Sequence, residues 1–134
     1  MNYRSILDEK NLRPSIIRMK VLEYLDRNRV HPTVDEIYEG LSDDIPTLSK
    51  TSVYNTVKLL RDSGIIHELT IEESRAHYDF CTAFHGHLLC DCCKRVVDVP
   101  VESLENPNLN GHNVRSTQVY YLGICKDCLS VNKN

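Results

Sequence analysis

Residues 49–80 read SKTSVYNTVKLLRDSGIIHELTIEESRAHYDF, and the fold turns on this stretch. Ser49 is a helix-capping residue. After it, Val53, Val57 and Leu60 recur at helical spacing on one apolar stripe, which predicts a long helix. Gly64 fits the position just past its end, where a left-handed backbone is needed and glycine carries no Cβ penalty. Two alternating stretches follow, Ile65 to Ile71 and Arg75 to Phe80. They flank the polar turn Glu72-Glu73-Ser74, a β-hairpin signal. A helix closed by a hairpin is the second half of a winged helix.

The chain upstream supplies the rest of that fold. Pro14 suits a helix first turn, where its missing N–H costs nothing. Beyond it, Ile17, Val21, Tyr24 and Leu25 make one stripe that His31-Pro32 interrupts. Thr33 and Glu36 form a capping box, and Val34, Ile37, Tyr38 and Leu41 give the next helix its apolar face. Three helices and a hairpin predict an N-terminal winged helix-turn-helix domain over residues 1–78. Beyond Phe80 the texture changes to histidines, cysteines and short β-like runs at Leu88-Leu89, Val96 to Val99 and Val119 to Ile124. Glu102 to Leu109 has room for a brief helix that Pro107 limits. This second domain, residues 79–134, is too short to build much core without a metal or a partner. The expected fold class is therefore α+β.

Composition narrows the function classes. The chain has 134 residues, 41% of them hydrophobic, and a formal net charge of −3. No apolar run approaches the roughly 20 residues of a membrane span. The mixed charge of Met1 to Lys10 is unlike a secretory signal, which points to a cytoplasmic, reducing compartment. In that setting six cysteines read as metal ligands or redox groups before disulfides. The acidic balance gives DNA binding no electrostatic support, and both parts of the chain, divided at Arg75, are net negative. Any DNA contact must come from a local basic surface, strengthened by dimerisation.

Two C-x-x-C pairs, Cys90-Asp91-Cys92-Cys93 and Cys125-Lys126-Asp127-Cys128, each end a β-like run. Two such knuckles complete a tetrahedral four-thiolate zinc site, closed and hence structural. The competing reading is two separate redox motifs, and it is disfavoured because a thioredoxin-like motif opens a helix after a strand. Cys92 reads as a bystander able to swap in for a neighbour, and Cys81 as a buried free thiol, with a metal-ligand or redox role as its alternative. His85-Gly86-His87 sets two imidazoles on one side of an extended chain. With Asp79, Asp98 and His31 they form a nitrogen and oxygen donor set that suits iron(II), manganese(II) or zinc. On their own, His85 and His87 read equally well as surface histidines. His67, His77 and His112 are isolated and read as surface or ordinary packing.

These motifs together resemble the ferric uptake regulator family. His31-Pro32-Thr33, Asp35-Glu36-Ile37-Tyr38, Thr51-Ser52-Val53-Tyr54-Asn55-Thr56-Val57 and Ser63-Gly64-Ile65-Ile66 are similar to its DNA-binding half. His85-x-His87-Leu88-Leu89-Cys90-x-x-Cys93 and Cys125-x-x-Cys128 are similar to its dimerisation half. The resemblance implies a homodimeric repressor, not an enzyme, that binds double-stranded operator DNA when its regulatory metal is held. It implies structural zinc on Cys90, Cys93, Cys125 and Cys128, and regulatory iron or manganese on His31, Asp79, His85, His87 and Asp98. Aspartates at positions 79 and 98 are similar to the peroxide-sensing branch, where iron-sensing members more often carry glutamate. In that branch a ligating histidine is oxidised and DNA is released, and the matching residues are His31 and His85.

Three departures stand out. The segment from Val99 to Val114 is short and broken by Pro107 where members carry a longer helix. Phe84 and Gly86 stand where iron-type members place ligands for a third metal, so no such site is expected. Cys81 leaves a zinc-sensing alternative open beside the iron-sensing one.

On the helix after Ser49, Thr51, Tyr54, Asn55 and Lys58 share the outward face. Asn reads adenine, Tyr and Thr pack on a thymine methyl, and Lys holds phosphate or guanine. Such a polar stripe is usually an ordinary solvated face, and the resemblance is what raises it to a DNA-reading surface. Arg18 is a candidate for the DNA backbone, with Arg13, Lys20, Lys50 and Arg61 beside it. A histidine/carboxylate metalloenzyme and a zinc-ribbon interaction module are the readings from other classes. The first lacks an acid/base arrangement, and the second leaves the histidines and aspartates unexplained.

Overall fold

The computed structural model describes residues 2–80 and 84–131. The chain forms two compact units, Met1–Thr82 and Ala83–Asn134, and together they make a mixed α and β fold. The strand His77–Asp79 falls in the first unit.

The first unit carries four helices and a hairpin: α1 (Tyr3–Glu9), α2 (Ile16–Arg27), α3 (Val34–Leu41), α4 (Lys50–Asp62), β1 (His67–Leu69) and β2 (His77–Asp79). The caps follow the side-chain chemistry. Thr33 accepts from the Glu36 N–H while Glu36 returns a bond to the Thr33 N–H. Ser49 does the same with Ser52. Pro14 lies outside α2, whose cap is Ser15, accepting from the Arg18 N–H at 3.2 Å. Gly64 stands past α4 with φ 77°. The core is Leu7, Val21, Leu22, Leu25, Ile37, Leu41, Val53, Val57, Leu60 and Ile66, the helical stripes converging on one another. Fully burying a side chain of this size stabilises by about 1.5–3 kcal/mol.

Helix α1 is not evident in the apolar pattern. It is seven residues long, with Asn2 capping through Ser5 N and only Leu7 buried. The hairpin strands are three residues each, shorter than the alternation predicts. Their register pairs His67 with Asp79 and Leu69 with His77.

The second unit is a three-stranded sheet of β3 (Gly86–Cys90), β4 (Val96–Val99) and β5 (Tyr120–Gly123), followed by α5 (Lys126–Val131). Strand β3 is central, antiparallel to β4 and parallel to β5. Where a brief helix was expected over Glu102 to Leu109 there is one 3-10 turn, Pro107–Leu109, capped by Asn106. Pro107 at its start is placed where its missing N–H does no harm. Few residues of this unit are buried: Leu89, Cys90, Val96 and Cys125 are its buried apolar and thiol side chains. Among the described residues no helix is long and apolar enough to cross a membrane.

Candidate metal centres and nucleic-acid interface

The sheet explains how the two cysteine knuckles meet. Parallel neighbours end at the same edge, and the β3–β5 register pairs Cys90 with Gly123. Each strand therefore delivers its C-x-x-C at one point. Cys90 Sγ lies 3.8 Å from Cys128 Sγ, and Cys93 Sγ lies 3.8 Å from Cys125 Sγ. All four sulfurs lie within 4.8 Å of one another. Four thiolates about 2.3 Å from a central zinc stand about 3.8 Å apart in a regular tetrahedron, so this donor set fits zinc in both chemistry and size.

The backbone is arranged for thiolates. The Cys125 and Cys93 N–H groups donate to Cys90 Sγ at 3.3 and 3.4 Å. Those donors hold the Cys90 thiol down to about 6, Cys125 N–H contributing most. The Cys125 thiol is also lowered, first by the Cys128 N–H, whereas Cys128 is pushed up by its contact with Cys125 and by burial. The second pair does open a helix after a strand, α5 after β5, so that argument against redox chemistry does not hold. The convergence of all four sulfurs is what favours a metal. Cys92 is exposed and is not one of the four converging sulfurs, although it contacts Cys128. Cys81 lies outside the described residues.

Arg95 was not anticipated from the sequence. Its Nη2 lies 3.8 Å from Cys125 Sγ and 3.0 Å from Asp127 Oδ2, a cation tying the first knuckle to the second.

The same strand organises the second unit's share of the histidine and aspartate cluster. Antiparallel pairing sets His87 opposite Asp98, and His85, two residues earlier, shares its face. Asp98 Oδ1 is 3.0 Å from His85 Nε2 and 3.5 Å from His87 Nε2. The two imidazole centroids are 4.4 Å apart. Gly86 points to the other face, where an added Cβ would stand 3.1 Å from Val101 and 3.3 Å from the Val119 carbonyl oxygen. That is tighter than ordinary contact and leaves little room for a side chain.

In the first unit, His31 Nε2 lies 3.8 Å from Asp79 Oδ2, with both residues buried. Within each unit these separations suit donors that hold an ion at about 2.0–2.2 Å. His31 is held at φ 59°, a left-handed backbone that costs a non-glycine residue roughly 1–3 kcal/mol and concentrates at functional positions. Two hydrogen bonds pin this loop to β2: Tyr78 N–H donates to the Pro32 carbonyl at 3.0 Å, and His77 Nδ1 meets the His31 carbonyl at 2.7 Å. His77 is thus not an isolated histidine. It is buried and also pairs through Nε2 with Glu72 Oε2 at 2.7 Å. His67 and His112 are exposed.

On α4, Val53, Val57 and Leu60 are fully buried. Thr51, Tyr54, Asn55 and Lys58 are exposed, Tyr54 by 53%. The basic candidates divide. Arg61 is engaged by Glu68 and Asp62, each at 3.0 Å, and Tyr78 donates to that same Glu68 at 2.9 Å. Burial, and then Glu68, push the Tyr78 hydroxyl upward. Lys50 faces Asp35 at 3.4 Å and Lys20 faces Glu23 at 4.0 Å. Arg18 donates to the Arg13 carbonyl at 2.9 Å, and among the described residues no carboxylate pairs with it.

The comparison with known proteins agrees with this organisation. The model of the ferric uptake regulator family matches residues 9–121. The chain belongs to that family, which makes it a metal-responsive repressor by class. A peroxide-responsive repressor, PerR, of Staphylococcus aureus is 33% identical over 127 residues, 91% of this chain and 86% of the relative. The solved structure of PerR from Streptococcus pyogenes, described for peroxide sensing and gene regulation, is 31% identical. It covers 94% of this chain and 92% of its own, with a TM-score of 0.55. A zinc uptake regulator solved with zinc and DNA has a TM-score of 0.74 at 20% identity, covering 98% and 93% of the two chains. That last likeness shows the fold alone.

Proposed function

We propose that this chain is a peroxide-responsive repressor that binds operator DNA as a homodimer and releases it when a ligating histidine is oxidised. The observation that carries the reading is the His85, His87 and Asp98 cluster across β3 and β4. It supplies two imidazoles and a short carboxylate, with aspartate rather than glutamate at both position 98 and position 79. The PerR relatives support the same branch.

In this reading Cys90, Cys93, Cys125 and Cys128 hold zinc and hold the second unit together. Its buried side chains are few, and for such a small domain binding free energy is folding free energy. His31 and Asp79, with His85, His87 and Asp98, hold the regulatory iron or manganese. Iron(II) held there would activate peroxide, which is the oxidant: one peroxide oxygen would pass to the ring carbon of His31 or His85, the displaced hydrogen and the other oxygen leaving as water, and an oxidised imidazole is a poor donor. Because the donors come from both units of the chain, their shared hold favours one arrangement of the DNA-binding elements, and metal and DNA affinities are linked.

DNA is read by the outer face of α4. Tyr54 and Thr51 pack on base edges, Asn55 reads adenine, Lys58 meets phosphate or guanine, and Arg18 holds the backbone. The exposed Val114, Tyr121, Leu122 and Ile124 of the second unit support self-association through that unit. The test is operator binding with and without manganese, then after micromolar peroxide on the iron form. Metal-dependent binding that peroxide abolishes only in the iron form is the expected result. Binding that ignores metal contradicts the repressor reading, and an iron form that stays on DNA contradicts the peroxide branch.

A further inference from the structure

We infer that His77, backed by Glu72, is a positioning residue for the regulatory metal site, holding the His31 backbone in the left-handed conformation from which its imidazole is presented. The inference rests on the proposed role of His31 as a ligand.

The geometry is specific. Both contacts of the His77 ring are to acceptors: the His31 carbonyl oxygen at Nδ1 and a Glu72 carboxylate oxygen at Nε2, each at 2.7 Å. A carbonyl has no proton to give, so Nδ1 donates. The ring therefore bridges the hairpin turn and the His31 loop, meeting an oxygen at each of its nitrogens. Glu72 is oriented in turn by Arg75, whose Nε donates to its other oxygen at 3.2 Å.

The bridged loop is the one whose backbone is least free to choose. His31 precedes Pro32, which pushes a residue toward extended backbone, yet it stands at φ 59°. Such a conformation persists only where surroundings over-determine it. His77 supplies that constraint on the His31 carbonyl, and the next residue, Tyr78, pins the Pro32 carbonyl at 3.0 Å. The residue after that is Asp79, at 3.8 Å from His31 Nε2. Three successive residues of one strand thus fix, in order, the His31 backbone, the Pro32 backbone and the companion donor. Partners that orient a ligand in this way typically change metal affinity by about 10–100-fold when removed.

The experiment measures manganese(II) affinity of the full-length, zinc-loaded protein by competition with a fluorescent chelator, alongside zinc content and thermal unfolding. His77→Leu should weaken manganese about 10–100-fold with one zinc per protomer retained. His77→Asn keeps an N–H donor near the position of Nδ1 and should recover most of that affinity. Glu72→Ala leaves the ring but removes its support, and should fall between the two. Should His77→Leu not fold, Glu72→Ala decides: wild-type affinity overturns the inference, and a loss of several-fold upholds it. An asparagine variant as weak as the leucine variant, or a leucine variant with wild-type affinity, overturns it as well. His31→Ala is the control. If it too binds manganese as wild type does, the ligand assignment fails; if it loses manganese while His77→Leu does not, only the present inference fails.

Discussion

Cys93→Ser removes one corner of the four-sulfur cluster, and the structure says how much hangs on it. Among its described residues the second unit buries two aliphatic side chains below a tenth exposed, Leu89 and Val96, beside Cys90 and Cys125. At about 1.5–3 kcal/mol each, that pair contributes roughly 3–6 kcal/mol. A structural zinc contributes about 10–16 kcal/mol in comparable small domains at neutral pH. The metal thus outweighs the apolar core, and the unit should not survive without it. The Cys93 sulfur lies 3.8 Å from Cys125, and the adjacent Cys92, exposed and also in contact with Cys128, is the thiol to remove alongside it in a Cys92→Ser/Cys93→Ser control. The assay combines zinc content by colorimetric release with size-exclusion chromatography and backbone NMR. Cys93→Ser should lose zinc, lose dispersed signals for residues 86–131 and run as a monomer or aggregate. The helical signals of the first unit should persist, because its core is separate. A zinc-free, well-dispersed dimer would refute the reasoning.

Three further outcomes are expected. Tyr54→Ala should weaken operator binding by about 1–3 kcal/mol with zinc content and dimerisation intact; unchanged affinity by fluorescence anisotropy would remove Tyr54 from the reading face. Asp98→Glu should keep manganese-dependent DNA binding but lose most peroxide-driven release, and a variant released as fast as wild type would show that carboxylate length is immaterial. Glu72 has its folded pKa lowered, His77 being the main cause, so its contribution to stability is present above the unfolded carboxylate value of about 4.3 and is lost as pH falls through the folded value. Glu72→Gln should therefore show a shallower loss of stability on acidification in chemical denaturation; an identical acid limb would contradict that pairing.

Much of this organisation is legible in the residues. Helix α4 was, because Ser49, the Val53, Val57 and Leu60 stripe and Gly64 all point to one element, and consistency across levels is what makes a segment readable. Helix α1 was not: seven residues with a single buried side chain leave no periodicity to detect. Pro14 and Ser15 are both helix-start residues, and the cap went to the one with an oxygen to accept the free Arg18 N–H. The spacing of the cysteines announced two knuckles closing one site, but not the means of their meeting, which is β5 pairing with β3 across a long irregular segment. His77 looked solitary because its partners, Glu72 and the His31 carbonyl, are a turn residue and a backbone atom, neither of which a motif displays.

The most direct test of the central claim is mass spectrometry of the iron-loaded, zinc-replete protein after brief exposure to micromolar peroxide, with the manganese-loaded protein in parallel. The account predicts one added oxygen on peptides containing His31 or His85 in the iron form, rising in step with loss of operator binding, and none in the manganese form. Iron-loaded protein that leaves both histidines unmodified while peroxide is consumed would contradict it.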